Sequence, residues 1–331
     1  MKLKPVVFFI SAAIILLPLM ITAQSQYLTE KQGSYSFYNN TRSEGTENIA
    51  FGNHVKTISD YFYQNIPMMK ASKGFDLAVT LFGYWDDEYK KRSSNYGLRG
   101  ELRFDFQLFL NSNGKEDKWT VEPPHWYLEI NNTETGHGGM QKEGNEASLL
   151  KELFLVFPLI REIVPGVHYY DCEPRTCGSL VVFNPDRPAY WLPVTVRDVV
   201  EAKLKFYKAD DSNKMLYDFI KPLVDNMSQD ELNSPAHYGS DDGILNVNGK
   251  RDGLQMMRFN PDYWDRTLPP SAIQFMTIGY TEYGFGNKNK TEQENADNEF
   301  RNNNGHPDYS QVVRNSMLIK DLPRLLTKTN K

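Results

Sequence analysis

Residues 98–110 alternate apolar and polar side chains with almost no interruption. The even-numbered positions hold Leu or Phe, apart from Gly100, and the odd-numbered positions as far as 107 hold Arg, Glu, Asp or Gln. Successive side chains of a strand point to opposite faces of a sheet, so this pattern predicts a half-buried strand, typical of antiparallel sheets. A chain with such a strand must also supply partner strands and an apolar layer for one face.

The sequence on either side of this stretch provides both. Apolar residues at spacings of three and four predict a helix over residues 53–69. Alternating apolar residues before and after the stretch predict two further strands, through Phe75, Leu77, Val79 and Leu81 and through Trp126, Leu128 and Ile130. Residues 53–145 are therefore predicted to form a helix followed by an antiparallel meander.

Residues 146–286 mix helical and strand patterns. The expected helices cover 149–164 (kinked at Pro158), 195–208 and 215–227, with a capping-box turn at Ser228 and Glu231, and the expected strands cover 178–183, 254–259 and 272–278. We therefore predict an α+β fold in which an antiparallel sheet (helix, then β-meander) is followed by a mixed helix/strand half. Three further segments complete the predicted division of the chain. They are a loose polar lead-in over 24–52, an Asn-rich loop over 287–308, and a C-terminal segment over 309–331 that docks on the core.

The N-terminus has the three parts of a secretory signal peptide. Lys2 and Lys4 precede an apolar run over 6–21, and small or polar residues follow at 22–25. This order predicts a signal peptide over 1–23, with an uncleaved membrane anchor as the alternative. The mature chain is then exported to the periplasm, the outer envelope or the extracellular space. We expect no membrane span after cleavage, because no later stretch has the apolar length that a span needs.

Net charge limits the classes of partner that the chain can bind, and the cysteines indicate how the oxidising conditions outside the cytoplasm would affect it. A net charge of −5 gives no general attraction to nucleic acid, so none is expected as a partner. The two cysteines, Cys172 and Cys177, lie close together in a segment with turn-forming Pro174 and Gly178. Because exported proteins meet oxidising conditions, we expect a disulfide between them, with free thiols or a metal site as the alternatives.

One eleven-residue segment recurs in a reshuffled form. Residues 183–193 and 259–269 both begin with Phe-Asn-Pro-Asp, contain a Tyr-Trp pair and end with Leu-Pro, and we call them the aromatic repeats. One interpretation is two similar strand exits whose aromatic side chains fill a common core. The other is a groove in which Tyr190, Trp191, Tyr263 and Trp264 stack on a ligand such as a sugar ring or a peptide side chain.

The same segments carry a resemblance to a group of proteins. Residues 183–196 and 264–274, together with Pro-Pro-His-Trp at 123–126, resemble segments of exported proteins of Bacteroidetes-type bacteria. The resemblance extends over most of the mature chain. It implies export and carries no implication about chemistry.

Common catalytic signatures are absent from the sequence. There is no serine-hydrolase elbow, zinc-peptidase motif or phosphate-binding loop, and the six histidines show no helical pairing, so we expect neither a metal nor a cofactor. Acidic groups at 86–88 and 241–242 are candidates for dispersed catalytic carboxylates, although acidic turns are usually only solvated. We therefore predict a binding or structural module with a glycan or peptide ligand, and the alternative is a secreted, glycan-directed hydrolase.

The signal peptide can be tested directly. We expect export to remove residues 1–23, because the apolar run is short for a membrane span and ends near Pro18. N-terminal sequencing of protein recovered from the producing cell should then begin at Gln24. A membrane-embedded product that still begins at Met1 would contradict the prediction.

Overall fold

A computed structural model describes residues 26–41, 45–84, 96–133, 140–141, 153–156, 159–170, 178–209, 211–237, 255–279, 298 and 300–328. The predicted signal peptide, the Cys172–Cys177 pair and the acidic groups at 86–88 and 241–242 lie outside these residues. The strands are β1 (Gln26–Tyr27), β2 (Tyr35–Asn39), β3 (Phe75–Tyr84), β4 (Arg99–Ser112), β5 (Lys115–Lys118), β6 (His125–Ile130), β7 (Met140–Gln141), β8 (Leu153–Val156), β9 (Leu159–Val164), β10 (Val167–Tyr170), β11 (Ser179–Phe183), β12 (Trp191–Pro193), β13 (Gln255–Phe259) and β14 (Phe275–Gly279). The helices are α1 (Thr46–Asn65), α2 (Pro67–Lys70), α3 (Val196–Ala209), α4 (Lys214–Asp225), α5 (Gln229–Asn233) and α6 (Tyr309–Ser316).

The strands form two sheets. The main sheet has ten strands in the order β2-β3-β4-β6-β14-β11-β10-β9, with β1 and β5 both pairing with β4. All of its pairings are antiparallel except that of β2 with β3. The second sheet has four strands in the order β12-β13-β8-β7. The α+β class and the antiparallel sheet are thus confirmed.

The predicted meander is present as β3, β4 and β6, and its apolar residues share one face. The buried members are Phe75, Leu77, Val79, Leu81, Leu102, Phe104, Phe106, Leu108, Trp126, Leu128 and Ile130. Residues of α1, of α6 and of the C-terminal segment cover this face and complete the largest core cluster. Arg99 differs from the prediction, since it belongs to the polar set of β4 but is only 8% exposed, with a guanidinium nitrogen 3.3 Å from Oδ1 of Asn132.

The second sheet packs on the opposite face of the main sheet. Tyr170, Val181 and Phe275 of the main sheet share a buried cluster with Trp191 and Phe259 of the second sheet. The outer face of the second sheet is covered in turn by α3 and α5, which pack around Met256 of β13 in a third cluster. The described chain therefore stacks in four layers: helices, main sheet, second sheet, helices.

Capping residues mark the starts of two helices where the sequence predicts them. Ser228 and Glu231 form the predicted capping box at the start of α5. The hydroxyl of Thr195 accepts a hydrogen bond from the amide of Asp198 at 3.2 Å, which caps α3. In the C-terminal segment, Leu322 and Leu326 are buried in the main core, as predicted. None of the helices in the described part of the chain is long and apolar enough to cross a membrane.

Three segments differ from the sequence predictions. The expected buried helix over 149–164 is replaced by β8 and β9, because a short apolar run fits a strand of either sheet as well as it fits a helix. The lead-in over 24–52, predicted to be loose, contributes β1, β2 and the start of α1. Within the predicted Asn-rich loop, residues 300–304 are helical.

The two faces of β4 should respond differently to truncation. Phe104 is fully buried, so Phe104→Ala should lower the free energy of unfolding by about 3 to 5 kcal/mol. Gln107 is partly exposed on the other face, so Gln107→Ala should cost less than about 1 kcal/mol. Urea denaturation measures both, and equal costs would mean that the assigned faces are wrong.

Candidate functional site

The four aromatic residues proposed as a ligand groove lie in the core between the two sheets. Tyr190, Trp191, Tyr263 and Trp264 are all buried, and Trp191, the most exposed of them, has only 8% of its surface accessible. Their rings pack against one another and against Phe259 and Phe275 of the two sheets, with centroid separations between 5 and 7 Å. No ring face of the four is left for a ligand.

Backbone geometry explains why both members of each pair are buried. Neighbours on an extended strand would point to opposite faces, but Tyr263 ends a 3-10 turn (Pro261–Tyr263), and Tyr190 precedes β12 rather than belonging to it. The alternation argument therefore fails at both pairs. The burial of all four rings does not fit the ligand-groove interpretation of the aromatic repeats and matches the alternative of a common core.

Polar groups of the two aromatic repeats bond the repeats to each other. The guanidinium of Arg187 donates to the backbone carbonyls of Asp262, Tyr263 and Trp264 at 2.7 to 2.9 Å. In return, the side-chain amide of Asn260 donates to the carbonyl of Ala189 at 2.7 Å. These bonds satisfy backbone groups that the packing of the two sheets would otherwise leave without partners.

A chain of three polar side chains runs into this core. The hydroxyl of Tyr190 lies 2.6 Å from Nδ1 of His168 and 2.7 Å from the hydroxyl of Tyr170. Burial lowers the pKa of His168, opposed by the nearby Glu162 carboxylate, and burial raises the pKa of Tyr170 to about 12. The imidazole is therefore held neutral, in the form that can accept a hydrogen bond from Tyr190.

An open groove lies elsewhere, beside the start of β6, and we call it the Trp119 groove. It encloses about 590 Å³. Its walls come from β4, from the loop that joins β5 to β6, and from the segment that leads into α6. The lining residues are Arg103, Trp119, Glu122, Pro123, Pro124, His125, Phe300, Asn304, His306, Pro307, Asp308, Tyr309 and Ser310.

His306 forms the inner wall of the groove. Its ring is 7% exposed and lies 6.0 Å from the ring of Trp119 and 5.8 Å from that of Tyr309, onto which it stacks. A smaller cavity of about 210 Å³ on the other side is lined by His306 and by Tyr27. Gly305 permits this arrangement, because its φ is +73° and a Cβ there would lie 2.9 Å from the Tyr27 ring.

The rim of the groove carries hydrogen-bonding groups of both charge signs. Arg103 pairs with Asp105 at 2.7 Å, and its guanidinium lies 3.4 Å from Nδ1 of His125. The hydroxyl of Ser310 donates to the backbone carbonyl of His125 at 2.8 Å, which ties the start of α6 to β6. The groove thus presents apolar faces and polar groups on a frame built from hydrogen-bonded elements.

Sequence reasoning did not single out the Trp119 groove. His125 and His306 are two of the six histidines that show no helical pairing, and Trp119 has no motif around it. The only signal near the groove was Pro-Pro-His-Trp at 123–126, which entered as part of a resemblance. Residues 103, 119–125 and 300–310 are far apart in the sequence, so only the fold brings them together.

Comparisons with known proteins do not identify the ligand or the activity of this site. No protein-family model, curated protein or solved structure matches the chain. Among the residues that the structure describes, there is also no group of three or more His, Cys, Asp or Glu side chains that could hold a metal ion. The case for a function therefore rests on the geometry of the Trp119 groove.

The partly buried His168 should make the stability of the fold depend on pH. Because the folded protein holds the pKa of His168 below the ordinary value of 6.5, the folded state binds fewer protons than the unfolded state. The contribution is fully present above about pH 6.5 and is lost as the pH falls through the lower folded pKa. His168→Gln should flatten this part of a Tm-against-pH profile. Parallel profiles for the wild type and His168→Gln would contradict the assignment.

Proposed function

We propose that the mature chain is an exported binding module whose ligand occupies the Trp119 groove. The observation that carries the proposal is the groove itself, an accessible concavity in which aromatic faces and polar groups converge. Its volume of about 590 Å³ falls within the usual range for ligand sites. By contrast, the aromatic repeats are sealed between the two sheets and stabilise the fold.

Rigid elements hold the groove, as a binding site requires. Arg103 projects from the central strand β4, and the stacked pair of His306 and Tyr309 rests on Phe106 of the same strand, with the Tyr309 and Phe106 rings 4.8 Å apart. Side chains that are already ordered lose little conformational entropy when a ligand arrives. This favours binding by a preformed site.

The composition of the groove favours a glycan or a peptide as the ligand. Both classes combine apolar surface with hydrogen-bonding groups, and the groove matches that combination with the aromatic Trp119 and Phe300 and the polar Asn304 and His125. An exported module meets such ligands at the cell surface or outside the cell. The net negative charge of the chain disfavours a nucleic acid.

Binding fits the groove better than hydrolysis. A glycosidase of the common type needs two carboxyl groups that flank the scissile bond. Two carboxylates line the groove, and one of them, Asp308, accepts the amide of Gln311 at 3.1 Å as the N-cap of α6. Asp308 therefore serves as a helix cap, and Glu122 is the other carboxylate in the lining of the groove.

Truncation of the groove should abolish ligand capture. We expect the wild-type protein to bind a subset of probes on an array of glycans and peptides. Trp119→Ala removes an apolar face of the groove and His125→Ala removes a polar group, so each variant should lose that binding. Phe219→Ala, at a 59% exposed aromatic residue of α4, is the matched control and should bind normally. Unchanged binding by both groove variants would refute the proposed site.

A further inference from the structure

Glu122 has a backbone conformation that its residue type disfavours. Its φ is +48°, in the left-handed region, and it is followed by Pro123. An L-residue pays a steric cost there, and the residue before a proline is normally driven to extended conformations. Such strain persists only where the surrounding structure imposes it, and it clusters at binding and catalytic sites.

The loop around Glu122 is held at both ends. The amide of Trp119 donates to the carbonyl of Leu108 at 2.8 Å, and the amide of Phe106 donates to the carbonyl of Pro124 at 2.8 Å, so both ends of the loop are bonded to β4. Within the loop, Nε1 of Trp119 donates to the carbonyl of Val121 at 2.6 Å. These bonds fix the indole and impose the turn in which Glu122 is strained.

The Glu122 side chain has no role in folding among the residues that the structure describes. Glu122 is exposed and lines the groove, and its carboxylate makes no hydrogen bond or ion pair with any of those residues. A glycine at position 122 would relieve the backbone and keep every bond named above. A strained residue whose side chain contributes nothing to folding but faces a groove is best explained by a role in binding.

From this juxtaposition we infer that the Trp119 groove binds an uncharged oligosaccharide, with one sugar ring stacked on Trp119 and two of its hydroxyls donating to the Glu122 carboxylate. The inference rests on the proposed function and names its ligand class. A pyranose ring has an apolar C–H face that suits an indole, and its rim of hydroxyls both donates and accepts. A carboxylate with two free oxygens suits a pair of neighbouring hydroxyls.

The charges around the groove disfavour an anionic ligand. An anionic sugar would face the carboxylates of Glu122 and Asp308, while the guanidinium of Arg103 is already paired with Asp105. A neutral sugar avoids that conflict. It can instead accept hydrogen bonds from Arg103 and Asn304, which lie in the same groove.

The test compares Glu122→Gly with Glu122→Gln and a matched control. Asn113 also has a positive φ, +56°, but it lies in the turn between β4 and β5 and does not line the groove, so Asn113→Gly is the control for strain relief alone. The probes are the uncharged hexasaccharides of glucose, xylose, mannose and N-acetylglucosamine, measured by isothermal titration calorimetry, with a random peptide library alongside. Differential scanning calorimetry gives the Tm of each variant.

We expect the wild type to bind at least one hexasaccharide. Glu122→Gly should bind it at least about tenfold more weakly while its Tm stays equal to or rises above that of the wild type, because strain is relieved as two charge-assisted hydrogen bonds are lost. Glu122→Gln, which can accept fewer hydrogen bonds, should lie between the two. Asn113→Gly should bind like the wild type.

Two results would overturn the inference. The first is hexasaccharide binding that Glu122→Gly leaves unchanged, and the second is a Tm that falls in Glu122→Gly, which would give the side chain a structural role. A third outcome separates the two proposals: if only peptides bind, and Trp119→Ala abolishes that binding, the binding function stands and the saccharide is wrong. If neither probe class binds, both proposals fail.

Discussion

Around β11 the main sheet is apolar on both faces, and the layers on either side of it follow from the need to bury them. On β11, Leu180 and Val182 belong to the main core cluster, while Val181 belongs to the core shared with the second sheet. Strands that are buried on both sides need a layer on each side. The second sheet supplies the second layer, and because it has an apolar outer face of its own, α3 and α5 must cover it.

The aromatic repeats are the means by which the second sheet is attached. They place six large aromatic rings between the sheets. Arg187 of one repeat and Asn260 of the other also donate hydrogen bonds to backbone carbonyls of the opposite repeat. The proposed ligand groove lies in a part of the main sheet that this core does not include, near the start of β6, where Trp119 and His306 are among the lining residues.

The periodicity of apolar residues and the local capping motifs predicted those features that residues close together in the sequence determine. The alternation over β3, β4 and β6, the capping box at α5 and the buried C-terminal leucines all depend on neighbours in sequence, and all are present. The helix expected over 149–164 failed because its pattern is equally that of a strand, and only pairing with β13 and β10 decides between them. The Trp119 groove had no signature, since it joins residues near 119 to residues near 306.

The aromatic repeats form a sealed core, whereas Trp119 lies at an accessible site. Hydroxyl-radical footprinting of the folded protein, read residue by residue by mass spectrometry, tests this contrast directly. Trp119 should be oxidised readily, and Trp191 and Trp264, at 8% and 2% exposure, should be protected until the protein unfolds. Oxidation of Trp191 and Trp264 at the rate of Trp119 in the folded protein would contradict the account.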